Sequence, residues 1–128
     1  MGLDNYAVSV RPPQDWTDPD EDFYLAPEAE AALRSAQAEI ERLREYCVFE
    51  RSYFRGKTYM LVIQDVTGVY IGADWTPPET VRMMADVLSR CDPDETARDY
   101  DHSPGEISDL IIFFRLCAEY KLGLVGSS

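Results

Sequence analysis

The 128-residue chain contains 24 Asp and Glu residues, three cysteines and one histidine, but no motif that arranges them for catalysis. Its single histidine, His102, stands among serine, proline and acidic residues, which is typical of a solvated loop. No G-x-S-x-G motif is present. The many carboxylates lie in polar segments, where no apolar pocket would raise a pKa. The sequence therefore predicts a protein that is not an enzyme and that uses no cofactor.

A metal site is also not expected. Residues 99–103 match the first three oxygen ligands of a calcium loop, D-x-D-x-S. The match then fails, because Pro104 takes the turn position that needs glycine and Leu110 stands where a glutamate is needed. The three cysteines are far apart and form no C-x-x-C pair, so a zinc site lacks close ligands. We interpret the cysteines as reduced thiols in a cytosolic protein.

A basic and aromatic segment in the middle of the chain is the other pattern that could bind a ligand. Guanidinium groups fork onto phosphate or carboxylate oxygens, glycine admits an anion to the backbone, and aromatic rings stack on a base. The P-loop motif G-x-x-x-x-G-K is absent. Two interpretations are open. The basic residues either pair with acidic segments of the same chain while the aromatic residues pack in the core, or they form a site for a nucleotide or phosphorylated metabolite. The residues of this alternative ligand site are Arg51, Arg55, Gly56, Lys57 and Tyr59.

The net charge of −12 is concentrated in two segments. Residues 1–30 contain eight acids and one arginine, and residues 92–109 contain seven acids and one arginine. Such a charge distribution argues against binding to nucleic acid and to anionic lipid. No apolar run is long enough to span a membrane, and residues 1–10 do not resemble a signal peptide, so we expect a cytoplasmic protein.

These observations predict a small acidic protein-binding module that engages a basic protein partner through its acidic surface. An antagonist or immunity-type protein, or a phage accessory protein, would fit this description. Binding of a small anionic ligand is the alternative, and an acidic charge that serves only solubility is a third interpretation. The sequence leaves the oligomeric state open. The predicted partner-binding residues are Trp16, Asp18, Asp20, Glu21, Asp22, Phe23, Tyr24, Asp99 and Asp101, whose aromatic members are typical interface anchors.

The opening residues 1–6, M-G-L-D-N-Y, resemble the start of small uncharacterised bacterial and phage proteins that begin M-G-L-D-x-Y. Two further segments resemble segments of such proteins. They are F-R-G-K at residues 54–57 and G-L-V-G at residues 123–126. Because these proteins have no settled activity, the resemblance implies no function.

Hydrophobic spacing predicts three main helices that position these residues. The first covers residues 27–47 and carries an apolar stripe. The second follows a capping box formed by Thr76 and Glu79, and the third follows a capping box formed by Ser103 and Glu106. The third extends to about residue 122 and is apolar without a break over residues 110–114, so it should lie at the centre of the fold. The predicted members of the first stripe are Leu33, Ala36, Ile40, Leu43 and Cys47.

The remaining chain predicts short strands and loops. Residues 5–10 alternate as a strand that ends before two prolines, and residues 69–71 favour another strand. Residues 57–67 are compatible with a helix or a strand, and we favour a short helix. Residues 14–22 and 92–102 are interpreted as polar loops, and residues 123–128 as a tail. The prediction is therefore a single-domain α+β fold, with three to four packed helices and a small sheet of two or three short strands.

Overall fold

The computed structural model of the protein describes residues 3–13 and 24–127. Within these residues five helices pack with a four-stranded antiparallel sheet, which confirms the α+β class and exceeds the predicted numbers of helices and strands. The helices are α1 (Pro27–Leu43), α2 (Gly56–Thr67), α3 (Pro78–Leu88), α4 (Pro93–Asp99) and α5 (Pro104–Glu119). The strands are β1 (Asp4–Val8), β2 (Phe49–Glu50), β3 (Tyr53–Arg55) and β4 (Gly123–Ser127). None of the helices in these ranges is long and apolar enough to cross a membrane.

The sheet has the strand order β2-β3-β1-β4, so β1 lies in its interior. This strand pairs with β3 on one side and along its whole length with β4 on the other, from Asp4 opposite Ser127 to Val8 opposite Gly123. Residues 5–8 of β1 are all buried, as expected for an interior strand with both faces covered. The prediction that residues 123–128 form a tail is wrong, because Gly123–Ser127 completes the sheet.

Helix α5 forms the centre of the core, as predicted. Its Ser103 and Glu106 form the expected capping box, and Leu110, Phe113 and Phe114 are buried. The ring of Phe113 lies 5.3 Å from that of Phe49 and 5.2 Å from that of Phe54, which joins the helix to β2 and β3. The helix ends at Glu119 rather than near residue 122. Lys121 adopts a left-handed backbone (φ 57°), and the Leu122 amide donates to the Cys117 carbonyl, which turns the chain into β4.

Residues 56–67 form a helix, which agrees with the favoured interpretation. Tyr59, Val62 and Ile63 are its buried large residues, and Gly68 ends it with a left-handed backbone (φ 78°). The strand predicted at residues 69–71 is wrong. Ile71 is buried, but its carbonyl accepts a hydrogen bond from the Asn5 side chain (2.8 Å) instead of a strand amide.

Two further boundaries differ from the predictions. Thr76 does not cap α3, because its backbone pairs with Leu124 through two hydrogen bonds and the helix starts at Pro78. Residues 92–102 are not simply a loop, because Pro93–Asp99 forms the short helix α4. The Asp92 carboxylate caps α4 by accepting hydrogen bonds from the amides of Asp94 (2.9 Å) and Glu95 (3.4 Å).

Helix α1 ends four residues earlier than predicted. Arg44 is already extended. Leu43, the last residue of the helix, has 76% of its surface exposed, whereas Cys47 is buried after the helix. Leu33 and Ile40 occupy the core as predicted, and Glu30 forms an ion pair with Arg34 one turn further along the helix. The early end of α1 matters for the site, because it turns Arg44 towards α5.

Candidate functional site

Six exposed carboxylates surround the short helix α4. Five belong to α4 or flank it in sequence, and the sixth, Asp65 of α2, is joined to them because the Tyr100 hydroxyl donates to its Oδ2 (3.1 Å). These residues form what we call the α4 acidic surface: Asp65, Asp92, Asp94, Glu95, Asp99 and Asp101. Helix α4 is able to carry so many acids because only Ala97 of its residues is buried.

The carboxylates of the α4 acidic surface form no ion pair in the part of the chain that the structure describes. Elsewhere some acids of the described residues are paired, as Glu39 is with Arg42 and Asp86 with Arg90. The single basic residue of α4, Arg98, is exposed and forms no ion pair within the described ranges. The surface therefore keeps its negative charge. No group of three or more His, Cys, Asp or Glu side chains in the described residues is placed to hold a metal ion.

The structure brings together two of the predicted partner-binding residues, Asp99 and Asp101. Tyr24 is half-buried, and its carbonyl accepts hydrogen bonds from the amides of Ser9 (2.6 Å) and Val10 (3.3 Å), so its backbone is tied to the end of β1. The other predicted partner residues lie outside the described ranges: Trp16, Asp18, Asp20, Glu21, Asp22 and Phe23.

The residues of the alternative ligand site are placed in three different surroundings. Arg55 and Lys57 are exposed and line one shallow cavity of about 350 Å³ with Leu3, Asp4 and Thr58. Arg51 does not line this cavity. It lies in the turn between β2 and β3, where its guanidinium is 3.5 Å from a Glu30 carboxylate oxygen. Of the five residues predicted for the ligand site, Arg55 and Lys57 are therefore the two that line this cavity.

The other two residues of that alternative site are buried and structural. Tyr59 points into the core, with only 2% of its surface exposed. Gly56 allows the Asn5 amide to approach the start of α2, because a Cβ at this position would overlap the Asn5 side-chain oxygen.

A polar cluster around Glu106 was not found by sequence reasoning. Glu106 accepts hydrogen bonds from the Tyr59 hydroxyl (2.8 Å) and from the Ser103 amide (2.9 Å), and His102 Nδ1 lies 3.6 Å from its Oε2. The His102 ring packs on the Tyr59 ring at 5.0 Å, and its side chain is only 15% exposed, so the prediction of a solvated histidine is wrong. Because Glu106 of α5 accepts a hydrogen bond from Tyr59 of α2, the cluster joins these two helices.

Asp109 is the one carboxylate of the second acidic segment that is fully buried. It forms an ion pair with Arg44 and accepts a hydrogen bond from the Val48 amide (3.0 Å). Burial raises the pKa of Asp109, against the opposing effects of the Val48 hydrogen bond and the Arg44 charge. Arg44 reaches this position across Gly105, where any side chain would overlap its guanidinium. The pair joins the end of α1 to α5.

An open groove of about 750 Å³ lies between α3 and α5. Its floor includes Ala85 and Ala118, whose small side chains allow the two helices to pack closely. Three basic residues and three carboxylates line the groove, so the lining charges balance and favour neither an anionic nor a cationic ligand. These are Arg82, Arg115 and Lys121, and Glu79, Asp86 and Glu119.

The fold and the site together define an α+β protein with an unpaired acidic surface on a short capped helix. No family model, no curated protein and no solved structure matches the chain. The functional argument therefore depends on the surface itself.

The Glu106 cluster predicts a specific contribution to acid stability. Burial disfavours the charge, but hydrogen bonds from Ser103 and Tyr59 outweigh it, so the pKa of Glu106 is lowered. A lowered pKa stabilises the fold above the unfolded-state value, and this stabilisation is lost as the pH falls through the folded-state value. We therefore expect Glu106→Gln to lose less stability than the wild type on acidification from pH 6, as measured by urea unfolding.

The matched control is Glu79→Gln, since Glu79 also lies in the first turn of a helix but is exposed. It should follow the wild-type pH profile. Identical profiles for the wild type and Glu106→Gln would contradict the assignment.

Proposed function

We propose that the protein binds a basic partner protein through the α4 acidic surface. The observation that carries this proposal is the set of six exposed carboxylates to which no cation of the described residues is paired. Paired carboxylates would lose much of their external field, whereas these remain available to a partner. The net charge of −12 adds a long-range field of the same sign.

A surface of this kind acts mainly on the rate of association. Complementary charges steer diffusional encounter and raise association rates by roughly 10- to 1,000-fold at low ionic strength. Physiological salt limits the effect to a range of about 8 Å, so close approach of the partner's cations is required. A protein whose basic face binds nucleic acid is a fitting target, because the acidic surface would compete for that face. A protein that acted in this way would be an antagonist, an immunity-type protein or a phage accessory protein.

We further propose that aromatic residues of the first acidic segment, residues 1–30, add apolar contacts to the complex. Charged surfaces give specificity and rate, while aromatic side chains supply most of the affinity at interface centres. Trp16, Phe23 and Tyr24 are aromatic residues of that segment. In this proposal they act as anchors beside the acidic residues from Asp18 to Asp22.

The test compares two variants of equal net charge against the same partner. A basic protein is captured on the immobilised chain at low salt, released by salt and purified, and its association kinetics are then measured. The first variant neutralises the α4 acidic surface by Asp94→Asn, Glu95→Gln, Asp99→Asn and Asp101→Asn, and spares the capping residue Asp92. We expect its association rate to fall by about tenfold or more.

The control variant neutralises four exposed acids elsewhere, by Glu28→Gln, Glu45→Gln, Glu79→Gln and Glu119→Gln. It loses the same net charge as the first variant. If the position of the acids on the surface matters, its association rate should remain close to that of the wild type. Equal losses in both variants would show that only net charge acts. A wild-type association rate that does not change between low and high salt would also overturn the proposal.

A further inference from the structure

The solvent-facing side of α2 carries three residues at four-residue intervals, Lys57, Leu61 and Asp65. Residues at this spacing form one row along a helix, and eight residues of helix make the row about 12 Å long. All three are exposed, and Leu61 has 65% of its surface in solvent. The opposite face, with Tyr59, Val62 and Ile63, is buried in the core.

The two ends of this row have opposite charge. At the start of α2, Lys57 and Arg55 line one shallow cavity together with Asp4, so two cations face one carboxylate there and the end keeps a net positive charge. Neither cation forms an ion pair with any described residue. At the other end, Asp65 accepts the Tyr100 hydrogen bond and so adjoins Asp99 and Asp101. The row therefore passes from a basic end, through an exposed apolar side chain, to an acidic end.

We propose that this face of α2 is a self-association surface that docks on the same face of a second copy of the chain. A twofold interface must be complementary to itself. Two α2 helices that lie antiparallel about an axis through Leu61 place each Lys57 opposite the other copy's Asp65. The two Leu61 side chains then meet at the centre and leave water. A partner of one charge would match only one end of the row, whereas a second copy matches both.

The expected dimer is weak and reversible. One helix face with its flanks lies at the low end of interface sizes, below the roughly 1,200–2,000 Å² of a stable complex. The net charge of −12 on each copy adds repulsion, which salt screens more effectively than it screens pairs in contact. Dimerisation should therefore be visible at high protein concentration in about 0.15 M salt, rather than in dilute solution without salt.

Sedimentation equilibrium of the full chain between about 10 µM and 1 mM tests this inference, since micromolar to millimolar dissociation constants correspond to small interfaces. Lys57→Glu and Asp65→Lys each place like charges opposite one another, and each should lower the association constant by about tenfold. The double variant Lys57→Glu/Asp65→Lys has the wild-type net charge and a reversed but complementary row. The association constant of the double variant should be at least about fivefold higher than that of either single variant.

Leu61→Asp provides a test at the centre of the row, and Met83→Asp on α3 is its matched control because Met83 is also exposed (42%). The first should abolish measurable dimer and the second should leave the association constant unchanged. A monomer at every concentration, or a double variant no better than the weaker single variant, would overturn the inference. Lys57→Glu leaves the α4 acidic surface intact, so loss of the dimer and loss of basic-partner binding are separable results.

Discussion

Replacement of Phe113 by alanine is expected to lower the free energy of unfolding by about 4 kcal/mol. Phe113 is fully buried in α5 and contacts Phe49, Phe54 and Phe114 through its ring. Truncation removes a large apolar side chain and leaves a cavity between the helix and two strands, which close-packed neighbours fill only in part. Urea unfolding followed by circular dichroism measures the change directly.

Ile112→Ala is the control for this measurement, because Ile112 precedes Phe113 on the same helix but remains partly exposed. It removes apolar contacts without opening an internal cavity, so its cost should be about 1 kcal/mol. A similar loss for both variants would mean that α5 is not packed as the structure shows.

Asp109→Ala is expected to cost about 3 kcal/mol, the second large effect. The change leaves the buried Val48 amide without its acceptor and Arg44 without its counter-charge. The estimate lies at the lower end for a buried ion pair because the Arg44 side chain is 39% exposed and regains water. Asp109→Asn should lower the free energy of unfolding less than Asp109→Ala does, since an amide oxygen still accepts the Val48 hydrogen bond.

The partner residue gives an independent test with a pH signature. Arg44→Met removes the cation that favours ionisation of Asp109, so the pKa of Asp109, already raised by burial, rises further. An acid with a raised folded-state pKa stabilises the fold at low pH, and this stabilisation is lost as the pH rises through that pKa. The stability deficit of Arg44→Met should therefore grow from pH 4 to pH 7.

Arg42→Met is the matched control for Arg44→Met. Arg42 is also near the end of α1, but both it and its partner Glu39 are exposed. Its removal should change stability much less, and with no comparable pH trend. If the two arginine variants behaved alike, the buried Asp109–Arg44 pair would not be a stabilising element of the fold.

Much of the helical part of the fold follows from local sequence. Ser103 and Glu106 specify the start of α5 by themselves, because a capping box needs only residues three apart. The elements that sequence reasoning misplaced depend on distant partners. Thr76 has the sequence of a helix cap, but its backbone is used by Leu124, far along the chain. Residues 123–127 lack a strong strand pattern and become a strand because β1 offers them a free edge.

In the candidate site, too, local sequence predicts some features, and contacts between distant residues determine the others. The exposed acids Asp99 and Asp101 were predicted from charge alone, since solvated carboxylates need no partner. Asp109 belongs to the same acidic segment in sequence, yet only its place between Ile107 and Leu110 on an apolar helix hinted at burial. The polar sequence neighbours of His102 predict a solvated side chain, whereas its neighbours in space are Tyr59 and Glu106. Contacts between distant segments are not encoded in local composition.

The pairing of β1 with β4 also constrains the order in which the fold forms. Helices α1 to α5 are made of local contacts and can form quickly, but β1 cannot complete its hydrogen bonds until residues 123–127 reach it. Bringing Asp4 to Ser127 closes almost the whole chain into one loop, and the entropy of that closure is lost before its hydrogen bonds form. We therefore expect the pairing of β1 with β4 to form after the local contacts of the helices.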